Sequence, residues 1–212
     1  MPQPKLLFLH GGGTNANIFR VQSRRLAALL KPHFELVYLN AILESRAGPG
    51  VLAFFEDAGP YREWLRDLIP GAEDADESTN SLDHLVTAFR RKGPFVGIVA
   101  FSQGAKMAVH LLRRLEAEKK GRRTEFVVAI CGTVPYFFDD GGVRNEMLAV
   151  KTESVHVMGD NDPYRLQSEK LVDCFDPESR RVVRFKGGHL MPGDESINKL
   201  LLNIILHAYD DM

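Results

Sequence analysis

Val96-Gly97-Ile98-Val99-Ala100-Phe101-Ser102-Gln103-Gly104-Ala105 decides how this chain is read. Its first six residues are small or apolar and rich in β-branched side chains, the composition of a strand buried on both faces. They run into a small-x-Ser-x-Gly turn, and the helix-forming stretch Lys106-Met107-Ala108-Val109-His110-Leu111-Leu112 follows at once. A sharp strand-to-helix turn of this kind lifts a serine hydroxyl above the edge of a sheet. The N-terminus of the helix leaves backbone N–H groups unpaired beside that hydroxyl. Ser102 is therefore a candidate nucleophile, and the turn predicts hydrolysis or acyl transfer.

Outward from this turn, apolar runs alternate with helix-period stretches from end to end. Strands are expected over residues 5–10, 35–39, 95–101, 126–131, 154–158 and 181–185, and helices over 17–30, 82–91, 103–120, 166–175 and 195–209. Such alternation predicts a doubly wound, mostly parallel α/β sheet of about six strands, with right-handed crossovers and helices on both faces. Asp194 reads as the N-cap of the last helix and Gly121 as the C-cap of the helix after Ser102. Two stretches look irregular: 41–60 is rich in Gly and Pro, and 70–81 is acidic and polar and reads as a surface loop. Neither a repeat nor a linker is evident, so one domain spanning 1–212 is expected.

The chain has 212 residues, 44% of them hydrophobic, and a formal net charge of −1. This balance suits a globular protein and gives no reason to expect nucleic acid or a membrane as partner. Cys131 and Cys174 supply neither a disulfide framework nor a metal-ligand spacing. The N-terminus opens into a strand instead of a signal-peptide core, and no apolar run is long enough to cross a bilayer. A soluble, cytoplasmic protein in a reducing compartment is expected.

A serine hydroxyl needs a base, and the base needs a group to orient it. In doubly wound hydrolases these come in the order Ser, Asp or Glu, His, on loops at the C-terminal ends of strands. His189 follows the last strand in Lys186-Gly187-Gly188-His189-Leu190-Met191-Pro192 and precedes the last helix, the place for the base. His33, His84, His110, His156 and His207 fall in or beside regular elements and read as structural or solvated. The acid should come from Gly159-Asp160-Asn161-Asp162-Pro163. Asp160 is placed to hold the turn through its side chain, and Asp162 lies deeper in the loop, where it reaches over the sheet edge. Asp162 is favoured and Asp160 remains the alternative.

Negative charge on a tetrahedral intermediate calls for preorganised N–H donors. Gln103, directly after the nucleophile, should supply one. Gly12 should supply the other, from Leu9-His10-Gly11-Gly12-Gly13-Thr14-Asn15 after the first strand, with Gly11 and Gly13 as alternatives. His10 reads as a support for that loop. The glycine run lacks the spacings of nucleotide-binding loops, and neither a cofactor nor a metal is called for. Aromatic and apolar residues gather in the loops that should wall the site: Phe54, Phe55, Tyr61, Tyr136, Phe137, Phe138, Leu190 and Met191. Together they suggest a pocket for an apolar acyl chain held as an ester or thioester.

With these residues assembled, the chain resembles the fungal serine hydrolase (FSH) family of α/β-hydrolases, which includes polyketide-releasing thioesterases of biosynthetic clusters. The resemblance runs along nearly the whole chain. It is carried by Leu9 to Asn15, Gly48-Pro49-Gly50-Val51 with Phe54-Phe55-Glu56, Gly59-Pro60-Tyr61, Ala100 to Ala105, Gly159 to Pro163 and Phe185 to Pro192. It implies the α/β-hydrolase fold and a triad of Ser102, Asp162 and His189, because the family's acid falls at the last position of a Gly-x-x-Asp turn. One departure is visible: Ala100 stands where these hydrolases commonly have glycine. A polyketide synthase would present its thioester on an acidic carrier protein. Arg113, Arg114, Lys119, Lys120, Arg122 and Arg123 form a basic run that could receive it, although such a run also suits a solvated helix end. The competing readings are a general carboxylesterase, a cysteine-nucleophile hydrolase and a hydrolase-fold binding protein without activity.

Overall fold

A computed structural model describes residues 2–66, 75–118, 124–134, 138–139, 142–143 and 149–210. Six strands, β1 (Lys5–Leu9), β2 (Glu35–Leu39), β3 (Phe95–Phe101), β4 (Phe126–Ile130), β5 (Glu153–Gly159) and β6 (Arg180–Phe185), form one sheet in the order β6-β5-β4-β3-β1-β2. Every neighbouring pair in it is parallel. Two-residue antiparallel ladders join Leu43–Glu44 to Arg62–Glu63 and Phe138–Asp139 to Gly142–Val143. The helices among the described residues are α1 (Ala16–Gln22), α2 (Arg24–Leu30), α3 (Leu52–Phe55), α4 (Ala75–Lys92), α5 (Gln103–Glu118), α6 (Arg165–Val172) and α7 (Glu195–Asp210). None of them is long and apolar enough to cross a membrane.

The strands are apolar on both sides because both faces are covered. Alternate residues point to opposite faces. Leu7, Leu9, Ile98, Ala100, Val127 and Ala129 pack with Leu85, Phe89, Met107 and Leu111 of α4 and α5. Leu6, Phe8, Val99, Phe101, Val128 and Ile130 pack with Phe19, Leu26, Leu30, Leu201 and Ile205 of α1, α2 and α7. The order also fixes where chemistry belongs. After β1 the chain adds β2 on one side, then crosses to add β3 on the other. The C-terminal ends of β1 and β3 therefore flank the point where the winding reverses, the usual ligand crevice of such sheets.

The elements follow the sequence pattern with three differences. The helical pattern over 17–30 is broken at Ser23, whose hydroxyl donates to the Phe19 carbonyl at 2.6 Å and lies 2.9 Å from the Tyr38 hydroxyl. Bonding back to a carbonyl one turn earlier competes with the helix ladder. The second difference corrects the surface loop expected over 70–81: from Ala75 onward this segment is the start of α4, and 67–74 lie outside the described residues. The third is that the helix expected over 166–175 ends at Val172. Asp194 caps α7, accepting from the Ser196 N–H at 2.8 Å, whereas Gly121 lies outside the described residues.

Candidate active site

Ser102 sits between the end of β3 and the start of α5 with φ of +52°. An L-residue in the left-handed region costs about 1–2 kcal/mol, so the surrounding bonds must hold it. Its N–H donates to the Ile130 carbonyl at 3.0 Å and its carbonyl accepts from Ala105 N–H at 3.0 Å. The two ends of the small-x-Ser-x-Gly turn differ in what they require. A Cβ on Gly104 would lie 2.4 Å from the Leu9 carbonyl oxygen, so only glycine lets α5 start against β1. Ala100 is fully buried between Leu9 and Ala129 in the sheet register, and its methyl is part of the core.

The loop after β6 brings His189 over Ser102, with Nε2 2.9 Å from the serine Oγ. On its other side His189 Nδ1 lies 2.9 Å from Asp162 Oδ2. A carboxylate only accepts, so Nδ1 carries the proton and Nε2 is left to accept from the serine hydroxyl. The Asp162 side chain is 1% exposed, against 23% for His189, and its Oδ1 accepts from Tyr164 N–H at 2.7 Å. The rings of Phe101 and Tyr164 flank the imidazole at 5.1 and 4.9 Å. Asp160 faces away and pairs with Arg184 Nε at 2.9 Å on the surface. The geometry thus joins Ser102, His189 and Asp162 in one hydrogen-bonded chain and leaves Asp160 out of it.

The glycine loop lies directly against this chain. A Cβ on Gly11 would stand 3.3 Å from Ser102 Cβ, and one on Gly12 3.3 Å from Gln103 Oε1. At the first position of α5 the Gln103 N–H has no partner within the helix. The Gln103 side chain accepts from Trp64 N–H at 2.7 Å and donates to the Leu65 carbonyl at 2.6 Å. Residues 62–65 are thereby clamped over the loop. Thr14 and Arg62 exchange backbone bonds, and Trp64 Nε1 donates to the His10 carbonyl at 2.8 Å. His10 is buried and accepts from Ala41 N–H through Nε2 at 3.0 Å, so its Nδ1–H donates to the Gly11 carbonyl at 2.7 Å. Burial, more than the nearby Arg62, lowers its pKa to about 4, and the ring stays neutral. Sequence reading did not find the Trp64 and Gln103 clamp. That Trp64 is the only tryptophan of the chain was its one available signal.

The other expected residues are more scattered. Phe54 on α3 is 83% exposed and Leu190 49%. Phe55 is half-buried, and the Tyr61 hydroxyl is 2.6 Å from the carbonyls of both Phe55 and Glu56, closing the turn after α3. Met191 is buried within the core layer of α7. Tyr136 and Phe137 lie outside the described residues, as do Lys119, Lys120, Arg122 and Arg123. Arg114 pairs with Glu118 at 3.1 Å and Asp83 at 3.9 Å. Burial pushes the thiols of Cys131 and Cys174 up to about 12 and about 11. Both therefore stay protonated, the reverse of what a cysteine nucleophile requires.

The family model described as "Serine hydrolase (FSH1)" matches residues 1–200. The chain belongs to the FSH1 serine hydrolase family. Among curated relatives, it is 38% identical to "Esterase FUS5" of Gibberella fujikuroi, over 98% of this chain and 88% of that protein. It is 32% identical to "Thioesterase FSL2" of Gibberella zeae, over 98% and 93%. The fold matches that of esterase PE8 with a TM-score of 0.66 at 18% identity, covering 97% and 93% of the two chains. The protein is thus a serine hydrolase with the α/β-hydrolase fold, as the sequence resemblance implies.

Proposed function

We propose that this serine hydrolase cleaves esters and thioesters of apolar acyl chains through Ser102, acting as a single domain over 1–212. The observation that carries the reading is the unbroken chain Ser102 Oγ–His189–Asp162, with both links at 2.9 Å. His189 Nε2 takes the proton of Ser102 Oγ as the oxygen attacks the acyl carbonyl. The carbonyl π pair moves onto oxygen, where the N–H groups of Gly12 and Gln103 receive it. The tetrahedral intermediate collapses, the C–O or C–S bond to the leaving group breaks, and His189 passes its proton to that group. Water, deprotonated in turn by Nε2, attacks the acyl-enzyme, and the acid leaves with Ser102 reprotonated. Asp162 orients the ring and offsets the charge of the imidazolium; each N–H donor to the oxyanion is worth on the order of 3 kcal/mol.

Two relatives bear names that point to the two leaving groups, esterase and thioesterase. The sequence resemblance to polyketide-releasing thioesterases supports a place in secondary metabolism, with release of an acyl or polyketide chain as the finer reading. A carrier protein seated at Arg113 and Arg114 would engage α5 ten residues or more from Gln103, about 15 Å along its axis. Their side chains are partly committed within the fold, so the acyl chain is a better guide to specificity than this run. Phe54, Phe55, Tyr61, Leu190 and Met191, with Tyr136 and Phe137, are proposed as its contacts.

Ser102→Ala should abolish turnover and labelling by a fluorophosphonate while leaving the melting temperature within about 2 °C; wild-type-like turnover would refute the assignment. Across acyl lengths kcat/KM should rise beyond acetyl, and thioesters and oxygen esters of equal length should be compared side by side. A preference for acetyl would sink the apolar-acyl reading.

A further inference from the structure

Ser102 is one of two non-glycine residues with positive φ among the described residues; the other is Cys131, at +47°. The two occupy equivalent places. Ser102 follows Phe101, the last residue of β3, and Cys131 follows Ile130, the last residue of the neighbouring β4. Each ties its N–H to the next strand over, Ser102 to Ile130 and Cys131 to Val157. Both leave the sheet by a left-handed residue that turns the side chain into the crevice. For a residue with a Cβ this conformation is costly, and such strain gathers at functional sites.

What Cys131 is aimed at follows from its surroundings. It is fully buried, and its Sγ, an Asp162 carboxylate oxygen and a His189 ring nitrogen all lie within 4.8 Å of one another. The Leu190 and Gly188 carbonyls, on either side of His189, are 3.6 and 3.8 Å from Sγ. Both carbonyls are within hydrogen-bonding distance of the thiol, but one S–H proton serves one acceptor at a time, and the Asp162 carboxylate, within 4.8 Å, is the charged acceptor that would draw it more strongly. The burial and the carboxylate that push the thiol pKa up also keep the donor protonated. That works against reading the trio as a metal centre, since a thiol must lose its proton to bind a metal. Arg165 and Arg184, the cations of the flanking elements, are engaged by Glu169 and Asp160.

We propose that Cys131 is a positioning residue for this hydrolase: its S–H is a third donor to the Asp162 carboxylate, beside Tyr164 N–H and His189 Nδ1–H. The inference rests on the Ser102–His189–Asp162 reading above. With three donors the carboxylate is fixed in rotation and its charge is shared. With the thiol gone it is held at two points only, and more of its charge falls on the imidazolium. The plateau of kcat should then fall, and the acidic limb of the kcat/KM profile should move to higher pH, because a less neutralised carboxylate holds the His189 proton more tightly.

The test compares Cys131→Gly, Cys131→Ala and Cys131→Ser in the full chain, each by thermal melting and by a pH–rate profile on one ester. Glycine relieves the backbone strain, so loss of rate in that variant separates from loss of fold. The expected result is a fall in kcat of about tenfold in the Gly and Ala variants, with KM little changed and the acidic limb raised by about half a pH unit. The Ser variant, which restores a donor, should return to within about threefold of wild type with the limb back in place. Wild-type kcat and profile in the Gly variant would overturn the inference, as would equal losses in all three that merely track melting temperature. If Ser102→Ala retained turnover, the parent reading would fail on its own, independently of the cysteine series.

Discussion

His10 and His189 stand in mirrored settings: His10-Gly11-Gly12-Gly13 follows the first strand of the sheet, and Gly187-Gly188-His189 follows the last. Both rings carry the proton on Nδ1 and donate it to an oxygen, Gly11 carbonyl in one case and Asp162 carboxylate in the other. The difference lies on Nε2. In His10 that nitrogen is occupied by Ala41 N–H, 3.0 Å away, and the ring is wholly buried. In His189 it faces the Ser102 hydroxyl from a side chain that water still reaches. A tautomer alone therefore does not make a base. An ionised partner to offset the imidazolium, and a free lone pair turned toward an ionisable hydroxyl, separate the two.

The sharpest break of this comparison is to remove each ring. His189→Ala should lower kcat on the order of 10⁶-fold with the melting temperature nearly unchanged. His10→Ala should do the reverse in kind: a clear drop in melting temperature, because the Ala41 N–H loses its partner and the Gly11 carbonyl keeps only the Thr14 hydroxyl, with activity falling only as the glycine loop loosens. A His189 variant within tenfold of wild type would remove the ring from the chemistry. Next in size is the pair of aspartates. Asp162→Asn should cost about 10⁴-fold in kcat by favouring the wrong tautomer of His189, whereas Asp160→Asn, which loses one surface ion pair, should stay within about twofold. Equal losses in the two variants would contradict the bonding seen here.

The smallest effect is on stability. Burial holds His10, His110 and His156 near a pKa of about 4, below the usual 6.5. The unfolded chain takes up these protons first as the pH falls, so the native state loses stability from about pH 6.5 down through 4 and keeps that contribution in full above 6.5. Melting curves from pH 8 to 4.5 should therefore descend below about 6.5, and less steeply in a chain whose His156 is replaced by an apolar residue of similar size. A melting temperature flat from pH 6.5 to 4.5 would argue against these three histidines staying neutral in the fold.

These contrasts also mark what the sequence made readable. The six strands were legible because strands covered on both faces are nearly continuous apolar runs, and the observed strand ends lie within one residue of those expected. The turn at Ser102 was legible because a strand, a small residue and a helix must meet there in a fixed order. Two aspartates two positions apart were harder to separate by pattern alone, because what sets them apart is Arg184, brought next to Asp160 by strand pairing. The Trp64 clamp and the Cys131 thiol were not legible at all. Trp64 meets Gln103 and His10 across 39 and 54 positions of chain, and Cys131 reads as the end of an apolar run until its backbone angle is known. The start of α4 was missed because polarity was read as a loop signal, although polar residues are common on an exposed helix.

The unequal demands at the two ends of the Ser102 turn bear on how such enzymes are found. Leu9 carbonyl oxygen, 2.4 Å from where a Cβ on Gly104 would lie, forbids any side chain there, while Ala100 shows that the opposite end takes a methyl into the core. A genome search that insists on glycine at both ends of the pentapeptide would pass over this protein. One that fixes only the second glycine, and asks for a strand before and a helix after, would retrieve it.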